Sequence, residues 1–295
     1  MRTLKLGLAL GPGGTKGAAH VGVMRVLADA GIRPDIIAGA SIGALYGGIV
    51  AVGRSPHEIE EGIRTRPHRD VYTFFRQRLK LRANNPLART FYEALAGFHI
   101  EDLEIPYAAV ASDIVAREPV SITHGPIIDA IEASIAIPLI ARPVAHQGRY
   151  LLDGGLWDAA PVDETHTLGA DVIVAVEVAR PFNLPEQLRG SALRAVSVLD
   201  RVALHRTLAG LPFTIRAVSN GRRETRGAQI TLRPQTRGFG RNSPSRMVEC
   251  LEAGIAAATE ALPAIHALLA GETPAVVAEE FVPEQPRLLT DPGLA

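Results

Sequence analysis

The chain is organised around one stretch, Asp35-Ile-Ile-Ala-Gly-Ala-Ser-Ile-Gly-Ala-Leu-Tyr-Gly-Gly-Ile-Val50, whose centre has the pattern G-x-S-x-G. A serine that attacks carbonyl carbons sits at the tip of a tight strand-to-helix turn, where its backbone is strained and its hydroxyl exposed. Side chains two residues before and after it would crowd this turn, and Gly39 and Gly43 occupy those positions around Ser41. The apolar flanks predict a buried strand before the serine and a helix over residues 42–52.

Two other interpretations of this stretch stay open. Small residues are common, so the pattern also fits a turn whose glycines only allow close packing. Residues 36–53 are 18 residues without a charge, which approaches the length of a membrane span. Five of them are glycines, and a turn at Ser41 would break the segment, so we favour a strand followed by a buried helix.

The composition indicates a globular α/β protein. The chain has 295 residues, of which 47% are hydrophobic and 21% charged, and its formal net charge is zero. The single cysteine, Cys250, excludes an intrachain disulfide and fits a reducing compartment.

Because no long apolar segment follows the amino-terminal charges, we expect a cytoplasmic protein, at most peripheral at the inner membrane surface. We predict one domain over residues 1–270 and a loosely structured acidic tail over 271–295.

A second glycine-rich turn precedes the serine motif. A predicted strand over residues 4–10 runs into Gly11-Pro-Gly-Gly-Thr-Lys-Gly17, and a periodic helix follows. Such a loop binds anions, because its backbone N–H groups converge and the helix dipole adds a positive end. The phosphate loop of an NTPase is set aside, since Lys16 is followed by glycine instead of Ser or Thr. An NAD(P) loop is a rival, but it requires an acidic residue at the end of the second strand, whereas Asp35 is at its beginning.

A third interpretation of the loop, an oxyanion hole, is the one we favour. Turns that follow neighbouring parallel strands lie side by side at the carboxyl edge of a sheet. The backbone N–H groups of Gly13, Gly14 and Thr15 would then face Ser41. We include Lys16 and Gly17 in the candidate substrate-binding loop; Lys16 either binds an anionic headgroup, fixes the loop, or is an ordinary surface lysine.

The segment 71–98 differs in character from the rest of the chain. It contains six of the fourteen aromatic residues, interleaved with arginines. Aromatic and basic residues together suit a cap or lid that faces lipid. An ordinary pair of helices packed on the sheet is the interpretation we favour.

A second basic stretch spans residues 216–246. Solvated arginines are the simpler explanation both for this stretch and for the basic residues of the segment 71–98.

The remaining patterns complete the predicted sheet. Residues 171–178 form an unbroken apolar run, which is typical of a central parallel strand. Further strands are predicted over 103–113, 120–123, 148–152, 213–218 and 228–232, with a helix over 127–134. A long helix is predicted over 245–269, interrupted at Pro263.

Asp153 is the best candidate for the base that a serine nucleophile needs. It follows a predicted buried strand and precedes Gly154 and Gly155, which allow a tight turn and close approach of a ligand. An aspartate acts as a base when its surroundings position it near the hydroxyl. An Asp that only caps a turn is the alternative. None of the nine histidines stands in a pattern that marks it as a partner of the serine.

The order of these motifs resembles the patatin-like phospholipase family, and in particular its compact bacterial members. Four motifs carry the resemblance: Gly13-Gly-Thr-Lys-Gly-Ala-Ala-His20, Gly39-Ala-Ser-Ile-Gly43, Ala133-Ser-Ile-Ala-Ile-Pro138 and Asp153-Gly-Gly-Leu-Trp-Asp-Ala-Ala-Pro-Val162. The match is dense to about residue 178 and thinner to about residue 269. It implies a three-layer α/β/α fold with a mainly parallel central sheet and a nucleophile elbow.

The resemblance also implies a mechanism. Ser41 would form an acyl-enzyme, Asp153 would be the base in a dyad without histidine, and the glycine loop would stabilise the oxyanion. No metal or cofactor is implied. Two positions depart from the family pattern: Pro12 replaces the first of three glycines and lacks an N–H, and Lys16 stands where arginine is more usual.

We therefore expect a serine hydrolase of lipid esters, of the phospholipase A or lysophospholipase type. The expected partners are a lipid or acyl-ester substrate and a membrane surface, with no nucleic acid. The alternatives are a general carboxylesterase or thioesterase, an NAD(P)-binding protein that uses residues 11–17, and an inactive regulatory homologue.

Overall fold

The computed structural model describes residues 4–77, 80–82, 84–116, 118–138, 140–156, 160–178, 225, 227–236 and 244–272. The strands are β1 (Leu6–Leu10), β2 (Ile36–Ala40), β3 (Tyr107–Asp113), β4 (Glu118–Ile122), β5 (Val144–His146), β6 (Arg149–Asp153), β7 (Val172–Val176) and β8 (Ile230–Leu232). The helices are α1 (Ala18–Asp29), α2 (Ile42–Ala51), α3 (Pro56–Thr65), α4 (His68–Arg76), α5 (Pro86–Leu95), α6 (Ile127–Ser134), α7 (Val162–Thr167) and α8 (Met247–Leu269).

The strands form one mixed sheet in the order β5-β6-β3-β2-β1-β7-β8, and β4 also pairs with β3. The five strands β3, β2, β1, β7 and β8 run parallel to one another. Strands β4, β5 and β6 join by antiparallel pairing. Every residue of β1 and β7 is buried, as expected of central parallel strands covered on both faces. The predicted mainly parallel sheet is confirmed.

The two faces of β1 enter separate parts of the core. Leu6, Leu8 and Leu10 join the large apolar cluster formed with α1, α2, α6 and α8. Ala9, on the other face, joins a smaller cluster that includes Val162 of α7. Helices therefore cover both faces of the sheet, and the architecture has three layers, as predicted.

Helices α1 and α8 touch through their backbones. A Cβ on Gly22 would collide with the carbonyl oxygen of Leu251, and a Cβ on Gly254 would collide with the carbonyl oxygen of Ala19. These two glycines set the spacing between the helix that follows the glycine loop and the last described helix of the chain.

Helix α8 continues through Pro263, so the predicted interruption is wrong. Proline removes one backbone N–H and leaves a carbonyl unpaired one turn earlier. Pro263 is exposed, so that carbonyl can bond to water, while Ala258 and Ile265 are buried and hold both halves of the helix on the core.

The described part of the segment 71–98 contains two helices, the end of α4 and the whole of α5. Asn85 caps α5, because its side-chain oxygen accepts hydrogen bonds from the N–H groups of Leu87 and Ala88 at 2.8 and 3.0 Å. Arg82 pairs with Asp129 and Glu132, which supports the interpretation of Arg82 as an ordinary surface residue. The strand predicted over 213–218 lies outside the described residues, and so do all but the first two residues of the predicted tail.

Among the described helices, none is long and apolar enough for a membrane span.

Candidate active site

Ser41 occupies a strained turn between β2 and α2. Its backbone has φ 56° and ψ −123°, a conformation that costs a non-glycine residue about 1–3 kcal/mol. A Cβ on Gly39 would lie 2.5 Å from the backbone nitrogen of Ala44, and a Cβ on Gly43 would collide with the carbonyl oxygen of Leu10. The geometry is therefore that of a nucleophile elbow, and both glycines of G-x-S-x-G are sterically required.

Strand β3 aligns the chain segments that carry Ser41 and Asp153. Along one edge of β3, β4 pairs with residues 109–113. The opposite edge is shared: β2 pairs with it as far as Ala40 opposite Val110, and β6 begins with Asp153 opposite Ala111. The carboxyl ends of β2 and β6 therefore meet on one edge of β3, although 112 residues separate Ser41 from Asp153.

The hydroxyl of Ser41 donates a hydrogen bond to Oδ2 of Asp153 at 2.6 Å. Both residues are buried, with 5% and 6% of their surface exposed. The other carboxylate oxygen, Oδ1, accepts a hydrogen bond from the N–H of Gly155 at 2.8 Å, and Ser112 donates to the Asp153 carbonyl oxygen at 2.8 Å. A Cβ on Gly154 would collide with the carbonyl oxygen of Val110. The turn after β6 thus holds the carboxylate in one orientation against the serine.

Ser134, at the end of α6, fixes the backbone of the elbow. Its hydroxyl accepts a hydrogen bond from the N–H of Ser41 at 2.9 Å and donates one to the carbonyl oxygen of Val110 at 2.6 Å. The N–H of Ser41 is therefore already hydrogen-bonded. Ser134 lies within the motif Ala133-Ser-Ile-Ala-Ile-Pro138, and its one signal in the sequence is that a polar residue ends an apolar helix.

The glycine loop lies beside the elbow, as predicted from the pairing of β1 with β2. Residues Gly14–Gly17 form a 3-10 turn, and Gly14, with φ 59°, and Thr15 line the same cleft as Ser41. A Cβ on Gly13 would collide with Val178, and one on Gly17 with Ile42 at the start of α2. These close contacts hold the loop against both neighbouring elements.

Lys16 is not among the residues described as lining the cleft. It lies near α8, where its charge lowers the pKa of the Cys250 thiol; burial outweighs this effect and raises that pKa to about 11. The structure therefore gives no support to Lys16 as a headgroup ligand.

The side chain of His20 contacts the backbone of the glycine loop. Its Nε2 lies 2.7 Å from the carbonyl oxygen of Gly11. The imidazole is fully buried, and burial lowers its pKa to about 4, partly opposed by the bond to Gly11. Neutral His20 therefore donates from Nε2, while Nδ1 has no hydrogen-bond partner in the described part of the chain. No pattern in the sequence indicates this contact.

The cleft in front of Ser41 is small and apolar. It encloses about 40 Å³. Its polar part is formed by the elbow and the glycine loop, and its apolar part comes from α2, α4, α5, the segment after α6, and α8. The apolar lining residues are Ile42, Leu45, Tyr46, Val71, Phe74, Leu87, Phe91, Ile135, Ile137 and Met247. The pair of helices over 71–98 therefore forms one wall of the candidate active site.

Comparison with known families gives a match to the patatin-like phospholipase model over residues 8–166, which is more than half of the chain. The chain belongs to the patatin-like phospholipase family. The matched range contains the glycine loop, the elbow and the Asp153 turn.

The structure also argues against the glycine loop as a dinucleotide site. Such a site needs an acidic residue at the end of the second strand, but β2 ends at Ala40. Asp35, at the other end, accepts a hydrogen bond from the N–H of Leu6 at 2.7 Å.

Relatives of this family member come from bacteria and animals. An uncharacterized NTE family protein of Mycobacterium tuberculosis is 36% identical over 178 residues, which are 59% of this chain and 49% of the relative. The neuropathy target esterase sws of Drosophila melanogaster is 32% identical over 182 residues, which are 59% of this chain and 13% of the relative. The chain thus spans about half the length of the mycobacterial protein and a small part of the fly protein.

Among solved structures, VipD from Legionella pneumophila has a TM-score of 0.51 with this patatin-like chain. The likeness covers 89% of this chain and 67% of that chain, at 16% sequence identity. At this identity it supports the fold assignment alone.

Proposed function

We propose that the protein is a serine acyl hydrolase that cleaves lipid esters through a dyad of Ser41 and Asp153. The observation that carries the proposal is the 2.6 Å hydrogen bond from the Ser41 hydroxyl to Asp153 at a strained elbow. A serine with a base in hydrogen-bond reach is the arrangement that nucleophilic catalysis requires.

In the first half-reaction, Oγ of Ser41 attacks the ester carbonyl carbon while its proton passes to Oδ2 of Asp153. The carbonyl oxygen becomes an oxyanion. Backbone N–H groups of the loop formed by Gly13, Gly14 and Thr15, and the positive end of α2, are the groups we assign to its stabilisation. Collapse of the tetrahedral intermediate breaks the bond to the leaving alcohol, which takes the proton from Asp153. An acyl-enzyme on Ser41 remains.

In the second half-reaction, water attacks the acyl-enzyme and gives a proton to Asp153. The second tetrahedral intermediate uses the same oxyanion site. When it collapses, Oγ of Ser41 leaves with the proton from Asp153, and a free carboxylic acid is released. The dyad returns to its starting state: the leaving alcohol has taken the original proton of Ser41, and the attacking water has supplied the one that replaces it.

Lipid esters are the substrates that the family and the cleft favour. Membership of the patatin-like phospholipase family supports them, and so do relatives that carry the names neuropathy target esterase and lysophospholipase. The lining of the cleft is mostly aliphatic and aromatic, which suits an acyl chain. We expect a phospholipid substrate to bring the protein to a membrane surface, and failure to sediment with anionic liposomes would remove that expectation.

The test is hydrolysis of a medium-chain p-nitrophenyl ester and of a phospholipid by the wild type, Ser41→Ala and Asp153→Asn. We expect both substitutions to lower kcat by at least about a thousandfold, because each removes a group that acts at the reacting atoms. Circular dichroism and the melting temperature establish that the variants are folded.

Two results would change the conclusion. Equal trace rates in all three proteins would contradict the dyad and favour the regulatory homologue. Turnover of the p-nitrophenyl ester alone, still dependent on both residues, would keep the dyad and favour a general carboxylesterase.

A further inference from the structure

We propose that the acyl chain of the substrate extends from Ser41 into a second, larger apolar cavity, and that Gly62 of α3 sets the chain length this cavity accepts. The proposal rests on the proposed function, since it assigns a subsite to the same dyad.

The second cavity has a volume of about 300 Å³, which is the lower end of the range for small-molecule sites. It lies between α2, α3, α5 and the start of α8, beside the cap helix α4. Its apolar lining includes Ile49, Ile59, Ile63 and Ala94, none of which lines the cleft at Ser41.

A shared wall separates this acyl cavity from the cleft. The five side chains of Tyr46, Val71, Leu87, Phe91 and Met247 line both spaces. The rings of Tyr46 and Phe91 meet edge to face with centroids 6.4 Å apart, and Met247 is unbranched and adaptable. Because the cleft alone encloses only about 40 Å³, an acyl chain on Ser41 that is to be buried away from water has to displace this wall, and the acyl cavity is the space that lies behind it.

The charge around the acyl cavity argues for an uncharged occupant. Arg54 and Arg66 at its rim are matched by Glu58 and Glu93, so the rim offers an anionic headgroup no excess of positive charge. Arg66 also donates a hydrogen bond to Thr90 at 3.0 Å. An alkyl chain, which needs only apolar surface, fits such a lining better than a phosphate or a carboxylate.

Gly62 lies at the middle of the face that α3 turns to the acyl cavity. Residues 58, 59, 62, 63 and 66 all line it, and this spacing defines one side of a helix. Apart from its own helix backbone and its chain neighbours, no described heavy atom lies within 4 Å of the position that a Cβ on Gly62 would take. Glycine here leaves open a volume that any larger residue would fill.

The first test compares p-nitrophenyl butyrate with p-nitrophenyl dodecanoate as substrates of the wild type and of Gly62→Phe. Each methylene kept out of an apolar site changes an equilibrium by about fourfold. We expect the ratio of kcat/KM for dodecanoate to that for butyrate to fall at least about tenfold in Gly62→Phe. Glu61→Phe, which adds the same ring at an exposed position outside the cavity lining, should keep the wild-type ratio. An unchanged ratio in a folded Gly62→Phe protein overturns the proposal.

A second test separates the subsite from catalysis. Binding of dodecanoate to the Ser41→Ala protein is measured by calorimetry, with and without Gly62→Phe. Binding that weakens at least about tenfold on adding Gly62→Phe supports the acyl cavity even if the wild type proves inactive, which would overturn only the proposed function. Equal binding by both proteins, beside Ser41-dependent hydrolysis in the wild type, overturns the acyl cavity and leaves the dyad in place.

Discussion

Pro12 lies against Gly155: a Cβ on Gly155 would stand 2.6 Å from the Cβ of Pro12 and 3.0 Å from Oδ1 of Asp153. The glycine loop and the turn that carries the candidate base are therefore in contact at Gly155, whose N–H donates a hydrogen bond to the carboxylate of Asp153. The ring of Pro12 acts as a spacer between the glycine loop and this turn.

Pro12→Gly should lower stability and leave catalysis nearly unchanged. The substitution increases the conformational entropy of the unfolded chain, which costs about 0.4–1 kcal/mol in the free energy of unfolding. Since Pro12 has no N–H, the oxyanion donors have to lie at Gly13, Gly14 or Thr15, and we expect kcat to stay within about twofold. Urea denaturation and ester hydrolysis measure the two effects. A rise in kcat of about tenfold or more would show that position 12 is a donor that this chain lacks.

Ser134→Ala should reduce both stability and turnover. It leaves the buried N–H of Ser41 and the carbonyl oxygen of Val110 without the partner they share, which costs about 1–3 kcal/mol. Loss of this anchor also lets the elbow move, and we expect kcat to fall about ten- to a hundredfold. Ser55→Ala is the matched control, because it removes the cap of α3 and costs about 1 kcal/mol away from the site. If both variants keep full kcat, Ser134 is structural only.

His20 should make the folded protein less stable as the pH falls from 6.5 to about 4. Burial lowers its pKa from 6.5 to about 4, so in this window the unfolded chain binds a proton that the folded chain does not. The contribution of neutral His20 to the free energy of unfolding is fully present above pH 6.5. By pH 4 about 3 kcal/mol of it is lost.

The measurement is urea denaturation of the wild type and His20→Asn across this pH range. The difference in unfolding free energy between the two proteins should shrink as the pH falls, because the variant lacks the titrating group. His166→Asn, at an exposed position, is the control and should follow the wild type. Parallel curves for the wild type and His20→Asn would contradict the assignment of a buried neutral imidazole.

Gly254→Ala and Gly62→Ala should change stability in opposite directions. The new methyl group on residue 254 would collide with the carbonyl oxygen of Ala19, and separating α1 from α8 costs about 1–3 kcal/mol. The methyl group on residue 62 meets open space in a helix, where alanine is favoured over glycine by about 0.5–1 kcal/mol. Thermal unfolding of both variants measures the two effects. If both substitutions lower the melting temperature, the contact between α1 and α8 does not distinguish residue 254 from residue 62.

Local patterns were sufficient to predict most of the elements that carry the site. The apolar run before Ser41, the glycines around it and the unbroken run over 171–178 each reflect a constraint within a few neighbouring residues, namely burial or steric crowding. The order of motifs predicted the family and the three-layer sheet. The course of α8 through Pro263 was not predicted, because burial of Ala258 and Ile265 outweighs the local preference of proline.

The contacts that position the dyad depend on residues far apart in the sequence. Ser134 reaches the N–H of Ser41, 93 positions earlier in the chain, only because α6 packs against β3 and β6. The shared edge of β3 is likewise a property of the assembled sheet. A single sequence contains no periodic or steric signal for such pairings, so the sequence placed Asp153 at a turn without showing how it meets the serine.

The helix contact at Gly22 and Gly254 has a consequence for how this family member can diverge. Helix α8 lies outside residues 8–166, the range that matches the family, yet it packs on α1 without intervening side chains, and its Met247 lines the cleft. The part of the chain that packs as one core is therefore larger than the range that matches the family. Changes in the segment that follows this range can alter which substrates enter while leaving the serine, the aspartate and the glycine loop untouched.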